Sequence, residues 1–345
     1  FGYYQTRTIK DVNMFILPLI VVAVVHTLFG IYQGYAGPSS VLSLHPRYAV
    51  QLAKYQPVAF RPFGLTNVPG GPAVYLSAVF PLILYAIFVT RHMLLRWFLI
   101  CFLPMGTFLF LLCQIRSALL KMIIGSAFFL VGAIFYILKG NAKREIKTLI
   151  VTLALGAASV IYALPYFVES SVDASEDNEM AIERSMSLFE VNTISSARRG
   201  AWERFVKYSG EVPFGADFAR VGAAAGKFKK LHDQDPFFKA NHFFTDNFWL
   251  TCLVEIGFPG MIIMTLILLA ILKSGYTGVR RPMAFENKMA CLAILGSLIG
   301  ISVGLYGAEG LLYNPDSSFF WFFSGVMLKL VGMSSVEEPF TEDFV

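Results

Sequence analysis

The sequence predicts an all-α protein, a polytopic bundle of transmembrane helices with one large extracytoplasmic loop that contains short amphipathic helices. Three observations predict it. Of 345 residues, 56% are hydrophobic and only 15% charged, with 33 phenylalanines, a balance that suits a bilayer rather than water. Apolar runs of about 20 residues, long enough to cross a hydrocarbon core, recur along the chain. The basic residues between several of these runs fall on one side when the runs are counted alternately, as the positive-inside rule requires.

Eight spans follow, at roughly 13–34, 72–90, 96–114, 117–138, 148–168, 247–272, 289–307 and 317–332. Three short loops between them are basic: Arg91, His92 and Arg96; Lys139, Lys143, Arg144 and Lys147; and Lys273, Arg280, Arg281 and Lys288. These are expected in the cytoplasm, with Arg7 and Lys10 beside them. Both ends of the chain are then cytoplasmic. The acidic tail Glu337, Glu338, Glu342 and Asp343 does not oppose this, because acidic residues contribute little to orientation. The outer face receives 35–71, the turn near Gln114, the long segment 169–246 and the turn at 308–316. The chain therefore divides into spans one to five over 1–168, the extracytoplasmic loop 169–246, spans six to eight over 247–332 and a tail over 333–345.

Composition also excludes some classes. Much of the basic charge sits in the short loops, where it sets orientation, so the net charge of +5 implies no nucleic-acid partner. Cys101, Cys113, Cys252 and Cys291 lie in or beside apolar spans, which argues against a disulfide framework. The sequence contains no phosphate-binding GxxxxGK[ST] loop and no zinc-ligand spacing.

Basic residues on the outer side are informative because topology does not require them. Arg61 sits in Phe60-Arg61-Pro62-Phe63-Gly64-Leu65-Thr66-Asn67, a turn-rich approach to a helix begun by Pro72. Arg116 lies between two spans in Gln114-Ile115-Arg116-Ser117, where a charge beside the apolar core is costly and is usually paired or functional. Arg61 is expected as a headgroup or loop-ordering contact unless it binds substrate, and snorkelling to the headgroups is an equal alternative for Lys121.

The long loop opens with an acidic stretch from Glu169 to Glu183, read as surface loop. From Ala201 to Tyr208 helical spacing puts Trp202, Phe205 and Val206 on one side, the pattern of an amphipathic helix on the bundle or at the interface. The run from Gly222 to Lys230 reads as a second helix or a basic lid. Arg198 and Arg199 are either functional cations or surface partners of Glu203 or of the acidic stretch. Asp246 either caps the helix starting near Asn247 or does chemistry, and His242 is either an interface histidine or a base. Phe248 and Trp249 are expected in an interfacial aromatic belt, Glu255 as a buried polar partner, and Gly257 and Gly260 at close helix packing.

Four separated features in order resemble the O-antigen ligase and O-antigen polymerase superfamily of integral membrane glycosyltransferases. They are Arg61-x-x-Gly64 with Asn67 and Ala73-x-Tyr75-Leu76; Arg116-Ser117; Ser196-x-Arg198 with Trp202 and Pro213-x-Gly215; and Asn247-x-x-Leu250 with Glu255-x-Gly257-x-x-Gly260. In the ligases the residue before that asparagine is commonly histidine. Here it is Asp246, and His242 lies four residues earlier, on the same face if the segment is helical; the departure leans the reading toward polymerase. Members usually have more spans, and the chain starts at Phe1 rather than Met, so further spans are expected before Phe1.

The resemblance implies a bacterial inner-membrane enzyme with a polyprenyl-diphosphate-linked oligosaccharide donor and a glycan or lipid-linked acceptor, surrounded by membrane lipids and open to other membrane proteins as partners. Elementary chemistry agrees with it. Displacing a lipid diphosphate from an anomeric carbon builds negative charge on the leaving group, which Arg116, Arg198, Arg199 and Arg61 are suited to bind. Asp246 or His242 is the candidate base for the attacking hydroxyl. No metal or cofactor is expected. The competing expectations are a non-catalytic subunit derived from this family and a secondary transporter, which would need two related halves with broken spans that the sequence does not show.

Overall fold

The computed structural model describes residues 2–44, 48–49, 52, 60–66, 68–139, 202–203, 205–216, 221, 247–308, 310–312 and 315–333. The predicted span 148–168, the acidic stretch from Glu169 to Glu183, the run from Gly222 to Lys230 and the tail from residue 334 lie outside the described residues. Every regular element among the described residues is helical.

In chain order the labelled helices are α1 (Gly2–Gln5), α2 (Ile9–Ala36), α3 (Pro38–Leu42), α4 (Gly71–Val89), α5 (Met93–Cys113), α6 (Arg116–Lys139), α7 (Phe248–Glu255), α8 (Gly257–Arg280), α9 (Phe285–Gly304) and α10 (Asp316–Met333), with further helical residues at 205–211 and a 3-10 turn at Gly310–Leu312. Six of them, α2, α4, α5, α6, α8 and α9, are long and apolar enough to cross a membrane. The shorter α10, at the predicted eighth span, packs against α1, α8 and α9.

One predicted span is corrected. The run 247–272 is not a single helix: it breaks at Ile256 and Gly257, whose φ is +68°. The eight-residue α7 is thus separate from the 24-residue α8.

Burial decides which helices form the middle. The membrane-length windows of α4 and α9 are each 78% buried, against 17% for α8, so the first two form the centre and α8 the flank. The contact of α6 with α9 is close because both lack side chains where they meet. A Cβ on Gly125 would lie 2.7 Å from the Gly296 carbonyl, and one on Gly296 would lie 2.6 Å from the Gly125 carbonyl. Small residues that admit such backbone approach are the usual adhesive between helices in lipid, where hydrophobicity alone supplies little.

Local chemistry fixes the helix ends. The first long helix, α2, begins at a capping box: Thr8 N–H donates to the Asp11 carboxylate at 2.8 Å and Asp11 N–H to Thr8 Oγ1 at 3.4 Å. At the end bearing the basic loops, cations close helix C-termini. Arg96 donates to the Thr90 carbonyl (2.6 Å), Arg281 to that of Val331 (3.2 Å), and Lys288 to those of Val279 and Arg281. Basic residues predicted from topology therefore also satisfy backbone carbonyls.

Candidate functional site

The opposite end of the bundle holds every described candidate. Arg61, half-buried, is carried by a loop that α2 grips. Gln33, fully buried on α2, accepts from Phe63 N–H at 2.9 Å and Gly64 N–H at 2.7 Å, and its side-chain amide donates to the Gly64 carbonyl at 3.2 Å. Leu65 N–H donates to His26 Nδ1 at 3.3 Å, and that imidazole stacks on Tyr75. Gly64 has φ +58°, and a Cβ there would lie 2.4 Å from Pro72 and 2.8 Å from His26; only glycine fits both demands.

Arg116 stands next to that loop. Gln114, with φ +51°, turns the chain after α5, and α6 starts two residues later. Gly70, φ +75°, lies so close to Ile115 that a Cβ would fall 2.1 Å from its side chain, and Arg61 is in electrostatic range of Cys113 at the end of α5. The Arg61 loop and the Arg116 turn are thus packed together. Arg116 also opens a helix whose first turn has no acidic residue. A cation there opposes the helix dipole, an arrangement that an anion placed at the same end relieves.

Lys121, one turn further along α6, departs from expectation. It does not snorkel: its side chain is 1% exposed and forms an ion pair with Asp316, the first residue of α10. Gly300 and Gly304 of α9 leave the space in which Lys121 lies, since a Cβ on either would strike its backbone carbonyl or its methylene stem. Asp316 Oδ1 is buried and has no hydrogen-bond partner among the described residues. The sequence reading missed Asp316 altogether, although an acid opening an apolar run, and glycines repeating every four residues at 296, 300 and 304, were visible signals.

The remaining motifs assemble around α7. Asn247 is its N-cap: Oδ1 accepts from Trp249 and Leu250 N–H at 3.0 and 3.2 Å, while its amide donates to the Tyr306 carbonyl at 2.9 Å. The capping role considered for Asp246 is therefore filled by Asn247. Phe248 is buried in the bundle rather than part of an interfacial belt, and its N–H reaches the Leu305 and Ala308 carbonyls. Trp202 stacks on Tyr306, with ring centroids 6.2 Å apart. Replacing Asn247 by alanine is expected to destabilise the fold by about 1 kcal/mol, the usual cost of losing a cap, measured as the thermal midpoint in detergent.

Helical residues 205–211 pack on α7. Phe205 and Tyr208 join Val221, Leu250 and Val254 in a small core, whereas Val206, predicted on the same face, is 45% exposed. Beyond that helix the Pro213-to-Gly215 turn and the α7–α8 break interlock. Ala216 N–H donates to the Val254 carbonyl (2.8 Å) and Phe258 N–H to that of Pro213 (3.0 Å). Gly215, φ +93°, and Gly257 face each other so closely that a Cβ on Gly257 would lie 2.3 Å from the Pro213 carbonyl. Two sequence motifs are thus halves of one clamp, and Gly257 serves it rather than helix-to-helix packing. Gly260 leaves room for Ile256 of the break itself. Glu255 accepts from Val221 N–H at 3.4 Å.

Arg198, Arg199, His242 and Asp246 lie outside the described residues. Among the described residues, no cluster of three or more His, Cys, Asp or Glu side chains could hold a metal ion.

Fold and site together define a polytopic helical membrane protein in which the loop carrying Arg61 packs on the turn before Arg116 at one end of the bundle. Residues 100–265 match the family model of the O-antigen ligase domain (Wzy_C), a similarity that supports the O-antigen ligase superfamily. The match supports a membrane glycosyltransferase-like role in polysaccharide synthesis. It includes Arg116, Lys121 and Asn247 and leaves Arg61 and Asp316 outside. No curated protein and no solved structure matches the chain.

Proposed function

We propose that this protein is a bacterial inner-membrane glycosyltransferase that polymerises polyprenyl-diphosphate-linked oligosaccharide units on the extracytoplasmic face during surface polysaccharide or O-antigen synthesis. The observation that carries the reading is the packing of the Arg61 loop on the turn before Arg116, with a helix N-terminus between them to receive an anion. Guanidinium groups bind phosphate oxygens in pairs and stay charged, so they neutralise a diphosphate leaving group without a metal.

In this reaction the acceptor hydroxyl oxygen bonds to the anomeric carbon as the bond from that carbon to the phosphate oxygen breaks. The electron pair leaves on the polyprenyl diphosphate, held by Arg116 and Arg61 and supplemented by Arg198 and Arg199. Asp246 or His242 takes the hydroxyl proton. Asp246 precedes Asn247, which the cap and the Tyr306 carbonyl hold at the same end of the bundle as Arg116. Attack on the face opposite the leaving group inverts the anomeric centre. Transfer to a lipid acceptor, the ligase reaction, would use the same donor half of the site.

The test is product analysis in cells that lack the protein, which are expected to accumulate lipid-linked units. Complementation by wild type restores long glycan, while Arg198→Ala and Asp246→Ala variants that reach the membrane do not. Short glycans that remain attached indicate polymerase, and full-length glycan left unattached indicates ligase. Complete complementation by both variants would contradict the assigned roles.

A further inference from the structure

We propose that Gln33 is a positioning residue for donor binding, acting through Arg61. The inference rests on the reading of Arg61 as a diphosphate ligand and adds the group that presets it. A glutamine that is fully buried within a membrane-length helix is expensive unless satisfied. Here it satisfies the loop instead of its own helix: both side-chain heteroatoms are used on Phe63 and Gly64, two and three residues after Arg61. Gln33 therefore reads no side chain. It holds a segment of backbone.

The same segment is held from three other directions. Gly70 N–H donates to the Pro62 carbonyl at 2.7 Å, Thr66 Oγ1 to the Phe63 carbonyl at 2.7 Å, and Tyr48 Oη to the Thr66 carbonyl at 3.2 Å. Phe63 is buried beneath. Loops usually keep their backbone groups for water; this one commits them to protein, which removes conformations that Arg61 would otherwise sample. Such preorganisation lowers the ordering cost of binding an anion. Gln33 is the one of these partners that lies on a membrane-length helix and supplies both a donor and an acceptor, so it ties the height of Arg61 to α2, just as the Gly70 contact ties the loop to the Arg116 turn.

The test measures donor KM and kcat separately for the full chain in lipid nanodiscs, with lipid-linked oligosaccharide extracted from cells lacking the protein. Gln33→Met keeps the volume and loses all three hydrogen bonds; it is expected to raise donor KM about tenfold with kcat within about threefold, the signature of lost binding rather than lost chemistry. In an Arg61→Ala background the same change should add less than about twofold, because a residue acting through Arg61 has nothing left to position. Gln33→Glu keeps the two accepted bonds and should return KM to within about threefold of wild type.

A purely structural role would instead lower kcat by reducing the active fraction, leave KM unchanged and add fully to Arg61→Ala; any of these overturns the proposal. If Gln33→Met fails to fold, the Gln33→Glu variant decides, and a tenfold KM defect that persists in it contradicts the positioning role. Arg61→Ala with a wild-type KM would remove the role of Arg61 and this inference with it, while leaving that of Arg116 standing. An extract that wild type does not elongate would refute the proposed function itself.

Discussion

Replacing Arg116 by alanine is expected to slow sugar transfer by about 10²–10³-fold, the usual cost of removing one fixed group that stabilises developing negative charge. The effect should fall on kcat/KM through both constants, because the diphosphate is charged in the ground state and gains charge as it leaves. Arg116→Lys should recover only part, since an ammonium is a point charge and cannot grip two phosphate oxygens in the bidentate manner of a guanidinium. The position itself argues for the magnitude. The cation opens α6, where the helix dipole works against it, and the chain reaches it through a left-handed Gln114 that costs conformational energy. The left-handed Gln114 also caps α5, its N–H reaching the Phe110 and Leu111 carbonyls, so it is the unfavourable placement of the cation in the helix dipole that argues for a group retained for binding.

Lys121→Met should destabilise the bundle by about 3–5 kcal/mol, because it leaves the Asp316 carboxylate buried without its counter-charge. The thermal midpoint in detergent measures it. The double variant Lys121→Met with Asp316→Leu is expected to recover most of that loss, since a buried pair repays desolvation poorly and Asp316 Oδ1 already lacks a partner among the described residues. If the double variant is stable yet transfers slowly, the pair serves the site: it joins the first turns of α6, which carry Arg116, to the start of α10. Stability and transfer both restored would make it structural only.

Five of the membrane-length helices, α2, α4, α5, α6 and α9, were legible from apolar runs alone, because length and hydropathy are local properties. Arg61 and Arg116 were legible as charges that topology did not require. The packing of the segments that carry them was not, since it depends on Gly70 meeting Ile115 across two helices. Three further readings failed for the same reason, that local pattern does not specify partners. The apolar run 247–272 hid a break because Gly257 sits in it like any helix glycine until the Pro213 carbonyl is brought against it. Lys121 resembled a snorkelling residue because Asp316 is 195 positions away. Val206 fits the amphipathic face as well as Tyr208 does, and only packing against Leu250 and Val254 separates them. Gln33 carries no signal in sequence, being one amide in an apolar run.

The most direct test of the central claim, that the paired arginines bind the leaving diphosphate, is single-turnover transfer by the purified full chain in nanodiscs, with wild type, Arg116→Ala and Arg61→Ala side by side. The donor is the lipid-linked oligosaccharide extracted from cells lacking the protein, and the reading is polyprenyl diphosphate released per glycosidic bond formed. The account predicts stoichiometric release by wild type and a loss of about 10²–10³-fold in the Arg116 variant, with a weaker donor affinity in the Arg61 variant. Wild-type rates in both variants, with all three proteins folded, would contradict it.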